Sequence, residues 1–294
     1  MTEHTKPSTQ HITVKSQDGH PLAGTVFSPT HEPKAVILVG SATAVKRQYY
    51  FKLSDYLAQQ GFLVICFDYR CIGDSLNGHV REASAHVREW GEKDLNTMIN
   101  WAKDSYPNLK LHFIGHSIGG QLLALAKDNH KLDSILHCSV QSGYWKLWPL
   151  AQRFKLVTLW YVLVPSLTRL LGYFPSKKLG VGENMPIGII REWASWCRHQ
   201  DYMFGSQHTA DCQYLKQIDV PVRSYSFEGD DLAPVACVDF IAGHYDCHVE
   251  RLHINAQDLD LAKAGKNIGH FDMFREPMRD ALWPEFTKWF DQHS

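Results

Sequence analysis

The sequence predicts an α/β protein: a mostly parallel sheet flanked by helices and interrupted by one inserted helical segment. Three observations carry that expectation. Short runs such as Ala35-Val36-Ile37-Leu38-Val39 and 62–67 are apolar at every position, as strands covered on both faces are; a strand with one wet face alternates. These runs take turns along the chain with stretches of helical spacing. Between 143 and 205 that alternation stops, and Trp145, Trp148, Trp160, Trp193 and Trp196 gather there.

Element by element, 11–15 and 22–27 alternate like the strands of a hairpin, with Gln17-Asp18-Gly19 as the turn. After the strand at 35–39, helical spacing over 48–60 ends at Gly61, placed to take a left-handed C-terminal position. A second buried strand, 62–67, leads into the loop Asp68-Tyr69-Arg70-Cys71-Ile72-Gly73-Asp74-Ser75. A helix is expected near 89–104 ahead of Pro107, a strand at 111–114, a helix directly after Ser117 and a strand at 134–140. The alternation resumes at 220–227, 234–245, 249–255 and 284–290. The expected domain is therefore a core of 10–142 and 206–294 with a cap or lid inserted at 143–205.

Composition narrows the function. The chain has 294 residues, 44% hydrophobic and 21% charged, so it carries enough apolar surface to offset the entropy of folding. Its 30 Lys and Arg against 31 Asp and Glu give a formal charge of −1, which argues against a nucleic-acid partner bound through a dominant basic field. Seven cysteines form no CxxC pair and several sit in apolar runs, such as Val64-Ile65-Cys66-Phe67; buried, reduced thiols are expected. Residues 1–7 lack the apolar segment of a signal peptide. The longest apolar stretch, 156–164, is broken by Thr158 and followed by Pro165, short of the roughly 20 residues a bilayer crossing needs. A cytoplasmic protein without stable membrane insertion is expected.

The chemistry centres on Gly115-His116-Ser117-Ile118-Gly119-Gly120, a Gly-x-Ser-x-Gly motif. Alone the motif is weak, because ordinary Gly and Ser usage produces it by chance. Here an apolar strand enters it and a helical pattern leaves it, the strand–turn–helix context of a nucleophile elbow. A serine hydroxyl needs a base to take its proton and a carboxylate to orient that base. For this elbow the chain order is serine, acid, histidine. His270, in Ile268-Gly269-His270-Phe271, follows the last strand, and Asp230 or Asp231 follows the strand ending at Phe227. Helix capping is the competing role for either aspartate.

Together the elbow, the 68–75 loop and the His270 segment resemble the α/β-hydrolase superfamily, over about residues 12–290. The likeness is nearest the serine aminopeptidase-like and monoglyceride-lipase-like branch, and within it a bacterial group without an assigned substrate. It implies the α/β-hydrolase fold. It selects Asp230, four residues before Pro234, as the acid. It also implies an oxyanion hole from the N–H of Ile118 and a second donor after the third strand, Ala42 first and Ser41 as the alternative. Two departures stand out: Val39-Gly40-Ser41-Ala42 lacks the customary His-Gly, and Cys71 replaces a glycine. At Cys71 a small buried side chain is expected in preference to a reactive thiol.

The implied reaction is acyl transfer from a small, partly apolar ester or thioester through an acyl-serine. An amidase or aminopeptidase-like activity comes second, and a non-catalytic binding protein of the same fold third. No cofactor is required. His244, Cys247 and His248 have helix-like ligand spacing, but a zinc site normally needs a fourth ligand or an open water position. The aromatic insertion favours an apolar substrate part, although the same residues could simply pack the cap. The segment 156–164 could alternatively touch lipid or a protein partner.

Overall fold

The computed structural model describes residues 6–205, 213–255 and 268–294; Cys212 and Asn267 lie outside them. The first hairpin joins β1 (Ser8–Lys15) to β2 (Pro21–Ser28), with Val14 opposite Leu22 and Gly19 in the turn at φ +83°. The core then runs through β3 (Val36–Gly40), α1 (Phe51–Gln59) and β4 (Leu63–Phe67). Next, α2 (Val87–Glu89) passes through a π turn into α3 (Asn96–Ser105), followed by β5 (Leu111–His116), the short α4 (Ile118–Gln121) and β6 (Ser134–Cys138). The inserted segment holds α5 (Leu150–Thr158), α6 (Val164–Leu171), β7 (Tyr173–Phe174), β8 (Met185–Pro186) and α7 (Ile187–Arg198). The chain closes with β9 (Val222–Phe227), α8 (Val235–Ala242), β10 (Val249–Ile254) and α9 (Trp283–Asp291).

Eight strands form one sheet in the order β1-β2-β4-β3-β5-β6-β9-β10, parallel from β4 onward. All five residues of β3, β4 and β6 are buried, which explains their unbroken apolar pattern. Their side chains alternate between two cores. Val36, Leu38 and Ile65 join Trp90 and Met98 on one face, while Ile37, Val39 and Val64 join Leu53, Trp283 and Phe286 on the other. The connection from β3 goes to β4 on one side, and β5 then returns to the other side of β3. Such a reversal opens a crevice at the carboxyl ends of the two central strands. Ser41 and Ser117 directly follow those ends.

Two expectations need correction. The apolar run of the insertion does not stop at Thr158 or Pro165: residues Leu150–Leu171 form one continuous helix of 22 residues, long and apolar enough by length and composition to cross a bilayer. Thr158 stays in register by returning its hydroxyl to the Phe154 carbonyl at 2.9 Å. Pro165 enters just after a π turn over Leu159–Leu163. That turn has already shifted the ordinary hydrogen-bond ladder, so the missing N–H of proline disrupts little more. The insertion also contains one small antiparallel pair, Tyr173 opposite Pro186, where only helical spacing was expected.

Candidate active site

β5 delivers Ser117 into a tight turn with φ 53° and ψ −126°. This is a sparsely populated conformation for a residue with a Cβ, at a cost of order 1–3 kcal/mol. The turn is possible because its neighbours are glycines: a Cβ on Gly119 would overlap the Gly40 carbonyl, and one on Gly115 would lie 2.6 Å from Gly120 Cα. The Ser117 N–H donates to the Cys138 carbonyl at 3.0 Å. Ile118 is the first residue of α4, so its N–H has no acceptor within the helix.

His270 Nδ1–H donates to Asp230 Oδ2 at 2.8 Å. That carboxylate also accepts the Ser139 hydroxyl at 2.6 Å on Oδ2 and the Leu232 N–H at 2.9 Å on Oδ1. Three donors on one buried group fix its position. Asp231 is exposed, with Gln152 Nε2 at 3.4 Å. Ser117, Asp230 and His270 are only 5%, 5% and 7% exposed. The Ser117 hydroxyl meets the side-chain amide of Gln141 at 3.3 Å, and no hydrogen bond joins it to His270 among the described residues. Nucleophile–base contacts are commonly long without substrate.

The loop after β3 corrects one expectation. The Ala42 N–H is already taken, donating to Tyr50 Oη at 2.8 Å, so in this arrangement it is not free to hold an oxyanion. Tyr50 Oη lies 2.8 Å from His116 Nδ1, and His116 Nε2 lies 2.9 Å from the His270 carbonyl. A carbonyl only accepts, so His116 Nε2 carries the proton and Nδ1 receives the Tyr50 hydroxyl. Burial, then the nearby His270, holds the His116 pKa well below its ordinary value, keeping the ring neutral. Ser41 is fully buried, and its N–H has no acceptor among the described residues.

Residues Arg47–Tyr50 form a 3-10 turn hydrogen-bonded to Ala42, Asp68, His116 and Phe271. The Arg47 N–H donates to Asp68 Oδ1 at 2.7 Å, and its guanidinium pairs with the same carboxylate. Tyr49 Oη–H donates to the Phe271 carbonyl at 2.8 Å. In the 68–75 loop, Cys71 takes φ 66° and is buried. Burial foremost, then Asp94, pushes its thiol up to about 12, so it is an unreactive filler of a glycine-like position.

Ser139, Gln141, Tyr50 and Asp68 were not singled out from the sequence. Their roles depend on contacts between distant segments, and only Ser139 and Gln141, polar residues directly after a buried strand, left any signal. The ligand-like spacing of His244, Cys247 and His248 is not a helical one, because α8 ends at Ala242, before His244. His244 instead donates to the Phe240 carbonyl at 2.7 Å and stacks on Phe204. No group of three potential metal ligands occurs among the described residues.

The family model described as serine aminopeptidase, S33, matches residues 31–169. A carboxymethylenebutenolidase from Pseudomonas putida is 26% identical over 129 residues, covering 40% of this chain and 55% of that protein. A monoacylglycerol lipase from Mycolicibacterium smegmatis is 26% identical over 102 residues, covering 33% of this chain and 34% of that protein. The chain thus spans about half the length of the first of these relatives and about a third of the second. Among solved structures, a soluble variant of monoglyceride lipase from Saccharomyces cerevisiae superposes with TM-score 0.67 at 14% identity, covering 100% of this chain and 99% of that one. A carboxyl esterase from Bacillus coagulans gives TM-score 0.65 at 12% identity, covering 97% and 99%. These likenesses show a shared fold.

Proposed function

We propose that this chain, which belongs to the α/β-hydrolase superfamily, is a serine-dependent hydrolase of a carboxylic ester or thioester. The observation that carries the reading is the hydrogen-bonded pair His270–Asp230 beside a serine held at φ 53°. The names of the relatives, which include a lipase and an esterase, favour an ester over an amide.

In this reading Asp230 holds the Nδ1–H tautomer of His270, which leaves the Nε2 lone pair free to act as base. His270 takes the proton of Ser117 as Oγ bonds to the carbonyl carbon of the substrate. The N–H groups of Ile118 and Ser41 donate to the developing oxyanion, each contributing about 3–4 kcal/mol in comparable sites. Collapse breaks the bond to the leaving group, which receives the proton from His270. Water then adds to the acyl-serine, its proton passing through His270, and releases the acid. Substrate must first displace the Gln141 amide from Ser117. Residues 143–205 act as a lid, consistent with the near-complete burial of Ser117, and their aromatic content suits an apolar substrate part.

Incubation with a fluorophosphonate probe tests the reading. Label should appear on Ser117 of the native protein and be absent from the Ser117→Ala variant. Folded native protein that takes no label overturns it. A series of p-nitrophenyl esters of increasing chain length then measures the depth of the acyl pocket.

A further inference from the structure

The helix Leu150–Leu171 faces outward with the wrong residues for water. It is apolar along its length and little of it is buried. Leu150, Phe154 and Leu170 are 78%, 78% and 79% exposed, and Tyr161, Val162 and Leu163 are exposed as well. A surface helix ordinarily turns charged and polar residues outward, and an apolar patch of this kind marks a contact surface.

Its connections exclude a membrane crossing. The N-terminal end is tied to the core side by Trp148 Nε1, which donates to the Ser142 carbonyl at 3.3 Å. Toward the C-terminal end, Thr168 accepts Arg191 Nε at 3.0 Å from α7, and Trp160 packs edge-on against Trp193 of α7 at 5.1 Å. Both ends return to one folded body, so the helix can lie only along a surface.

Charge selects the surface. From Ser134 to Gly182 the chain has no Asp or Glu, but it has Lys146, Arg153, Lys155, Arg169, Lys177 and Lys178. Lys155 and Arg169 are exposed within the helix and have no carboxylate partner among the described residues. Residues 143–205 hold eight Lys and Arg against three Asp and Glu, in a chain of net charge −1. The insertion is therefore at +5 and the remainder at −6. A second copy of the chain docking through the same face would bring like charges together. An anionic lipid surface offers the complementary sign together with an apolar layer for the leucines and Phe154.

The patch also adjoins the candidate site. Gln152, one turn into the helix, contacts Asp231 at 3.4 Å. Leu232, next in the loop that carries Asp230, is itself exposed.

We propose that the outward face of Leu150–Leu171 docks this protein flat onto an anionic phospholipid bilayer, with the loop of Asp230 at the contact edge. Docking does not depend on the hydrolase reading, so its test uses binding. The full chain is sedimented with vesicles of phosphatidylcholine alone and of phosphatidylcholine mixed with phosphatidylglycerol. The Ser117→Ala variant is run in parallel, and thermal unfolding verifies the fold of every variant. Binding should favour the anionic vesicles by about tenfold and weaken with added salt. The paired substitutions Phe154→Asp with Leu170→Asp, and Lys155→Glu with Arg169→Glu, alter exposed positions only. Each pair should reduce binding by about tenfold or more with melting unchanged. Absence of binding to anionic vesicles overturns the proposal, as does equal binding to neutral ones. So does a lipid-independent dimer in sedimentation velocity that the Asp pair dissolves, which would assign the face to a second copy.

Discussion

Gln141 holds Ser117: the side-chain amide of the one lies 3.3 Å from the hydroxyl of the other, while Gln141 Nε2 also donates to the Leu232 carbonyl at 3.1 Å. The nucleophile is thus engaged by a neutral partner before substrate arrives, and the same glutamine braces the loop that carries Asp230.

Removing that partner should free the hydroxyl to reach His270. A hydrogen bond of this kind contributes about 0.5–1.5 kcal/mol, so Gln141→Ala should accelerate fluorophosphonate labelling of Ser117 by about two- to tenfold. Stopped labelling time courses measure it. A slower rate would show that Gln141 assists the reaction.

The two neighbouring aspartates should behave very differently. Asp230→Asn leaves the shape but loses the charge facing His270 Nδ1, and turnover of a p-nitrophenyl ester should fall by about 10⁴. Asp231→Asn changes an exposed side chain and should leave turnover near native. Steady-state kinetics on both variants decide between them, and the reverse pattern would move the acid to Asp231.

Tyr50→Phe deletes one oxygen but strands two buried groups, the Ala42 N–H and His116 Nδ1. Leaving buried polar groups unpaired costs about 1–3 kcal/mol each. Urea unfolding should show a loss of about 3 kcal/mol, far more than an exposed tyrosine would give. A loss well below 1 kcal/mol would mean that the chain of bonds through Tyr50 contributes little.

Three buried histidines set an acid limit. Burial holds His112 down to about 4, His137 down to about 3 and His116 well below its usual value. The unfolded chain takes up these protons near pH 6.5 and the native chain does not, so stability is full above pH 6.5 and falls below it. From pH 6.5 to 5.5 the loss is about 1 kcal/mol per histidine, about 3 kcal/mol together. Urea midpoints at the two pH values measure it. An unchanged midpoint would show that the rings accept protons in the native state.

The sheet was legible because strands covered on both faces have no polar positions to confuse their pattern. Ser117, His270 and an aspartate at 230 or 231 could be nominated because each follows a strand, in the order that an elbow of this kind requires, and the family resemblance chose Asp230. What stayed hidden depends on contacts across the chain. Ala42 looked like a donor because nothing local reveals that Tyr50, eight residues on, reaches back to its N–H. Thr158 and Pro165 read as stops because their compensations, a hydroxyl returned to the backbone and a π turn, have no sequence signature. His244 to His248 looked helical because the helix was expected to run to 245, whereas it ends at Ala242.

The turn Arg47–Tyr50 reaches, within four residues, the loops of Asp68, Ala42, His116 and Phe271. Loops positioned one against the next accumulate error, whereas loops referred to a common origin do not. Opening that one turn releases all four at once. Hydrogen exchange at the Ala42 and Arg47 amides should therefore report a single cooperative opening, in which the site is lost whole while the strands beneath it stay protected.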